Sequence, residues 1–230
     1  MPKEGKSFSP EVQSTLDAAG LSLIRDERGF VLVGDGMELV PDLAAMKPRL
    51  KQGRLGQELL VKAARVKGAE EPLAVDATAG LGQDSLLLAA AGFKVILFES
   101  NPVIAALLRD SLERAATDAE LAPFVDRMTF VEGDSVAGLA ALPEQPDVVL
   151  LDPMFPERRK SAAVKKKFQL IHHLEFPCSN EEELLGAALA AGPRKVVVKR
   201  PPKGPWLAGK KPSYAITGKA VRYDCLVLPR

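Results

Sequence analysis

Residues 73–91 read LAVDATAGLGQDSLLLAAA. A short apolar strand over Leu73–Thr78 runs into a turn built on Gly80 and Gly82, and a helix follows over Gln83–Ala91. The alternation continues downstream. The pattern predicts strands at Lys94–Glu99, Met128–Glu132, Asp147–Leu151 and Lys195–Lys199, with helices at Pro102–Ala116, Ser135–Leu142, Lys160–His173 and Glu181–Ala191. Parallel strands need crossover connections, so this series predicts a largely parallel sheet covered by helices on both faces. The end differs: Tyr214–Thr217 and Val221–Leu228 flank Gly218-Lys219 and read as an antiparallel pair closing the sheet. Upstream, residues 1–52 read as a small N-terminal α+β unit. It has a helix over Ser9–Ala19 and a hairpin in which Gly29–Val33 and Met37–Val40 flank Gly34-Asp35-Gly36. A connector rich in Lys, Arg and Gly, Lys47–Arg54, leads to a helix predicted over Leu55–Val66, and residues 53–230 make the main domain.

Bulk properties narrow the function. The chain has 230 residues, 47% hydrophobic and 27% charged, which is the composition of a globular protein rather than a disordered one. Its longest apolar run, Ser85–Phe93, is far short of the roughly 20 residues that span a bilayer. The N-terminal MPKEGKSFSP lacks the apolar core of a signal peptide, so a cytoplasmic location is expected and no membrane partner. Cys178 and Cys225 have no paired spacing, and the adjacent His172 and His173 point to different helix faces; neither set predicts a metal site. The net charge of +1 conceals an asymmetry. Residues 157–230 hold 16 Lys and Arg against 6 Asp and Glu, whereas residues 1–156 hold 15 against 24. A basic third on an acidic body points to a polyanion met from one side.

Ligands of open α/β sheets bind beyond the carboxyl ends of the strands, so the strand tips carry the chemistry. At the first tip Asp76, Gly80 and Gly82 are candidate cofactor-binding residues, the two glycines letting the backbone approach a ligand. The G-x-G-x-x-G dinucleotide fingerprint is not met, because Ser85 stands at the third glycine position. Gln83 and Asp84 open the helix, and a carboxylate at Asp84 suits a cationic cofactor better than a pyrophosphate. At the second tip Glu99, 23 residues after Asp76, is placed to accept bonds from ribose hydroxyls, with Ser100 beside it. At the third, Asp134 and Ser135 can accept from an adenine amine or cap the next helix. These tips describe a nucleoside site without a phosphate cradle, and S-adenosylmethionine fits it.

The fourth strand ends in Asp152-Pro153-Met154-Phe155-Pro156. An ionised carboxylate at a buried strand end is costly unless something satisfies it. Pro153 and Pro156 stiffen the backbone, and Phe155 offers a flat apolar face. Together they can grip a planar base that bears an exocyclic amine. Asp152 and a neighbouring carbonyl would accept its N–H hydrogens while Phe155 stacks on the ring. The loop differs by Met154 from the Asp/Asn-Pro-Pro-aromatic signature of amino-directed methyltransferases.

The stretches VDATAGLGQDSLLLAAAG, FESNPVIAALLRD, LDPMFPERRKSAAVKKK and KVVVKRP together resemble the ribosomal RNA small subunit methyltransferase J family over roughly residues 53–230. The resemblance implies a Rossmann-like class I methyltransferase fold with a mostly parallel seven-stranded sheet and an antiparallel C-terminal strand. It implies methylation of a guanine N2 amine in 16S rRNA of the small ribosomal subunit. Carried over by position, it implies cofactor contacts at Gln83, Asp84, Glu99, Ser100, Asp134, Ser135 and Asp152. The basic residues then gain a use. Arg158, Arg159, Lys160, Lys165, Lys166 and Lys167 follow the catalytic loop, while Lys199, Arg200 and Lys203 follow the fifth strand. Both groups are expected on one rim, holding RNA phosphates.

Rival readings explain less. A nicotinamide dehydrogenase uses Gly80, Gly82 and Glu99 but leaves Asp152–Pro156 idle. A noncatalytic RNA-binding or assembly protein uses the lysines but not Asp152. An adenine N6 methyltransferase uses the same loop. Pro177-Cys178 resembles the thiolate motif of cytosine-C5 methyltransferases, yet it lies away from the fourth tip. Trp206, in a Pro/Gly-rich loop, can either stack on RNA or pack locally, and the sequence does not choose.

Overall fold

The computed structural model describes residues 8–153, 169–174 and 180–229. The chain opens with α1 (Pro10–Ala19), capped by Ser9, whose hydroxyl accepts from Val12 N at 3.3 Å, and closed by Gly20 in the left-handed conformation. Three antiparallel strands follow: β1 (Ser22–Asp26), β2 (Gly29–Gly34) and β3 (Met37–Leu39). The predicted hairpin is β2–β3; β1 is an additional strand. Only Leu23 of β1 is buried, so Ser22, Arg25 and Asp26 hide its periodicity.

A second difference concerns residues 43–66. A 3₁₀ turn (Leu43–Met46), α2 (Lys47–Leu50), α3 (Gln52–Leu55) and α4 (Leu59–Ala64) replace the predicted connector and single helix. Lys51 and Glu58 take extended backbone angles that break the run, and Gly53 and Gly56 weaken it further. Arg49 clamps the bend through paired bonds to Glu58 at 2.8 and 2.7 Å.

The main sheet then assembles from β4 (Leu73–Asp76), β5 (Lys94–Glu99), β6 (Met128–Glu132), β7 (Val148–Leu151), β8 (Lys195–Arg200), β9 (Tyr214–Thr217) and β10 (Arg222–Val227). Its helices are α5 (Gln83–Ala90), α6 (Pro102–Ala116), α7 (Ala122–Val125), α8 (Ser135–Ala140), α9 (Gln169–His172) and α10 (Glu181–Ala190). Most of the helix predicted over Lys160–His173 lies outside the described residues. The strand order is β6-β5-β4-β7-β8-β10-β9. The first five strands are parallel, and β10 runs antiparallel to both β8 and β9, as the sequence predicted.

Strand β7 shows why this sequence makes a central strand. All four of its residues are buried, and alternate side chains enter opposite layers. Val148 and Leu150 join the cluster of Leu60, Leu86, Leu87 and Leu88. Val149 and Leu151 join Leu139, Leu184 and Leu185 on the other face. Each such side chain contributes about 1.5–3 kcal/mol by leaving water, so a polar substitution here would break the sheet. Helix α1 and the N-terminal strands pack on α6, where Leu16, Leu23 and Leu32 meet Val103, Ile104 and Leu107. Buried Asp110 ties the two parts by accepting from Phe30 N at 3.1 Å and from Arg114 Nε at 2.9 Å.

The strand order also places the site. From β4 the chain moves outward through β5 and β6 to one edge, then returns to β7 on the other side of β4. This reversal leaves a crevice beyond the carboxyl ends of β4 and β7.

Candidate active site at the strand tips

At the tip of β4 the chain turns through Gly80 and Gly82, both at positive φ. Gly82 starts α5, and a Cβ there would stand 2.7 Å from Leu108 Cδ1, so the turn needs glycine for conformation and for space. Asp76 is turned inward and is 1% exposed. Ser85 Oγ donates to it at 2.6 Å and Thr78 N at 3.2 Å. Burial pushes its carboxyl up to about 7, against the pull of these donors.

The tips of β5 and β6 are held by main-chain donors. Glu99 accepts from Gly80 N at 3.0 Å and from Asn101 N at 2.8 Å. Burial raises its pKa, and the N–H groups of Asn101, Gly80 and Ser100 oppose the rise. Asn101 caps α6 through Val103 N at 3.0 Å and Ile104 N at 3.2 Å. Asp134 caps α8 by accepting from Val136 N at 3.1 Å. Phe98 lies so close to Gly138 that a Cβ there would overlap the ring.

These tips line a cleft of about 610 Å³ that includes Thr78, Gly80, Glu99, Ser100, Asp134 and Asp152. The volume lies in the range of small-molecule sites. Its described wall contains Glu99, Asp134, Asp152 and Glu183 and no Lys, Arg or His. Such a wall repels phosphates and suits hydroxyls, amines and a cationic centre. S-adenosylmethionine therefore fits the residues present.

Asp152 stands where this cleft meets a second cavity of about 230 Å³, lined among others by Asp76, Gln83, Asp84, His172 and Lys199. Thr78, Gly80, Ile104 and Asp152 border both. Asp152 is held through Thr78 and Lys199. Its N–H donates to Thr78 Oγ1 at 2.6 Å, and its Oδ2 meets Lys199 Nζ at 2.8 Å. The β7–β8 register, Leu151 opposite Val198, brings residues 152 and 199 side by side. Lys199 Nζ also meets Asp84 Oδ2 at 2.7 Å, at the start of α5. Burial alone would lower the Lys199 pKa, but the two carboxylates together raise it, so the ammonium stays charged.

The predicted residues thus divide. The larger cleft collects Gly80, Glu99, Ser100, Asp134, Ser135, Asp152 and Pro153. The smaller cavity collects Asp76, Gln83 and Asp84, while Gly82 lines neither and serves the turn. Two expected phosphate contacts are placed differently. Lys199 is part of the site, spent on two carboxylates. Arg200 needs correction: its side chain is fully enclosed, meets Glu181 at 3.4 Å and donates to Pro205 O at 2.8 Å, so it presents nothing to a phosphate. Lys203 is exposed. Phe155, Arg158, Arg159, Lys160, Lys165, Lys166, Lys167 and Cys178 lie outside the described residues. Thr78 went unnoticed in the sequence; its one signal is a hydroxyl two residues past a strand-end acid. Among the described residues no group of three His, Cys, Asp or Glu could hold a metal. No helix among them is long and apolar enough to cross a membrane.

Residues 35–228 match the family model described as "Putative SAM-dependent methyltransferase". The chain is 43% identical over 234 residues to ribosomal RNA small subunit methyltransferase J of Thioalkalivibrio sulfidiphilus, covering 99% of this chain and 89% of that one. It is 42% identical over 237 residues to the protein of that name from Pseudomonas fluorescens, covering 96% and 91%. The chain belongs to the ribosomal RNA small subunit methyltransferase J family. Among solved structures, a SAM-dependent methyltransferase from Neisseria gonorrhoeae superposes with a TM-score of 0.74 at 30% identity, covering 97% of this chain and 93% of that one. The protein is a SAM-dependent methyltransferase with S-adenosylmethionine as its cofactor.

Proposed function

We propose that the enzyme transfers the methyl group of S-adenosylmethionine to the exocyclic N2 amine of a guanine in 16S rRNA of the small ribosomal subunit. The observation that carries this reading is Asp152, a carboxylate fixed on the wall shared by two cavities. One cavity suits a nucleoside with a cationic centre, and the other side is left for the acceptor. The names of the relatives supply the substrate class, ribosomal RNA of the small subunit.

When bound, S-adenosylmethionine supplies an activated methyl group on a sulfonium. The chain's own residues then do the remaining work. Glu99 and Asp134, already fixed by main-chain bonds, orient the nucleoside. An aromatic amine is a poor nucleophile because its lone pair is delocalised into the ring. Asp152 accepts an N–H from it, directs the lone pair toward the methyl donor and stabilises positive charge developing on nitrogen. Lys199 holds Oδ2 and prevents the carboxylate from swinging away, which is a positioning role. Pro153 stiffens the backbone beside Asp152. Exposed Lys203 is available to an RNA phosphate.

The test is transfer of labelled methyl to unmethylated small subunits and to rRNA extracted from them, followed by digestion and mapping. The expected product is N2-methylguanosine at one position of 16S rRNA. Label in N6-methyladenosine, or no label in either RNA, would contradict the proposal.

A further inference from the structure

The loop from Pro201 to Ser213, PPKGPWLAGKKPS, leaves β8 directly after Lys199 and Arg200 and so starts at the catalytic edge of the sheet. It contains the chain's single tryptophan, three lysines and no acidic residue. Its shape is imposed from below. Arg222, paired to Asp224 at 2.8 Å, donates to Pro202 O at 2.9 Å and to Gly204 O at 3.1 Å. Arg200 donates to Pro205 O, and Ala208 N donates to Glu181 at 2.9 Å. Leu207 is 3% exposed and anchors the loop in the core beside Leu184 and Leu185. Four prolines remove further freedom. At the top of this braced loop Trp206 is 42% exposed, and Lys203, Lys210 and Lys211 are exposed around it. Two arginines with well-aligned bonds to loop carbonyls are a costly support for a segment with no role.

We infer that Trp206 is a stacking platform for an unpaired base of the substrate RNA, with Lys203, Lys210 and Lys211 holding the adjoining phosphates. The chemistry selects this occupant. An indole face accepts any base, and three exposed lysines on a loop that carries no acid of its own attract a polyanion. A preformed loop loses little entropy on binding. The platform extends the contact beyond the target nucleotide and holds the strand while the guanine reaches Asp152. It rests on the reading of the substrate as RNA.

Because the chain has one tryptophan, its own fluorescence reports on the loop. Titration with deproteinised, unmethylated 16S rRNA is expected to quench Trp206 and to shield it from acrylamide. Trp206→Ala should weaken that RNA about tenfold, with Trp206→Phe recovering most of the loss, because stacking needs a ring. S-adenosylhomocysteine affinity and melting temperature should stay unchanged in both variants. Changing the three lysines together to Gln should lower the slope of log affinity against log salt by about 2. Normal methylation with unaltered fluorescence and unaltered Trp206→Ala affinity would overturn the platform and leave the proposed function standing. Quenching by intact subunits alone, and not by extracted rRNA, would also overturn it and point to a ribosomal protein. Failure to bind or methylate either RNA would instead sink the functional reading itself.

Discussion

The tips of β4, β5 and β6 and the tip of β8 both keep carboxylates in place, and they do so with different donors. On the first side Asp76, Glu99 and Asp134 are held by main-chain N–H groups and one serine hydroxyl. On the second side Asp84, Asp152, Glu181 and Asp224 are held by Lys199, Arg200 and Arg222. Neutral donors fix a geometry without cancelling charge, so Glu99 and Asp134 keep the wall of the larger cleft acidic toward a cofactor. Cations cancel charge and lock orientation, which suits the role proposed for Asp152. Among the described residues, the basic C-terminal third therefore includes two populations. Lys199, Arg200 and Arg222 face inward and organise the site and its loop, while Lys203, Lys210 and Lys211 face water.

The largest test of this contrast is on the neutral side. With its folded pKa near 7 and its unfolded value near 3.8, Asp76 keeps its proton in the folded state over a window where the unfolded chain has lost it. Stability should then fall as pH rises from about 4 to about 7, by up to on the order of 4 kcal/mol, and level off beyond. Asp76→Asn mimics the protonated acid and should remove that slope. Urea denaturation of both proteins across this range checks it, and equal slopes would mean that the Asp76 proton is not linked to folding. On the cationic side, Lys199→Met should cost about 10²-fold in kcat with little change in cofactor KM, and Lys199→Arg should restore part of the rate. A purely structural lysine would lower stability and leave kcat per folded molecule intact. The smallest effect is at a cap. Asn101→Ala should destabilise by about 1 kcal/mol, measured by thermal or urea unfolding, because Val103 N and Ile104 N lose their acceptor.

Much of this design is visible before folding. Periodicity located the strands of the main sheet because a strand buried on both faces, such as β7, is apolar throughout. The position of Glu99 and Asp134 at strand tips was legible because each stands between a predicted strand and a predicted helix, and both line the cleft. The inward-facing cations were not. Whether Lys199 or Arg200 faces water depends on strand register and on partners more than 100 and 19 residues away, at Asp84 and Glu181. Strand β1 and the broken helices of residues 43–66 were hidden for another reason. Their hydrophobic signal is one or two residues long, and tertiary packing on α6 and α5 selects their form.

The central claim is that Asp152 binds the acceptor amine in the transition state. Single-turnover methyl transfer by Asp152→Ala, at saturating cofactor and RNA with both dissociation constants measured, tests it directly. A rate lower by about 10³-fold is expected, with both ligands bound within a few-fold of normal. An unchanged rate, or a loss explained entirely by weaker cofactor binding, would contradict it.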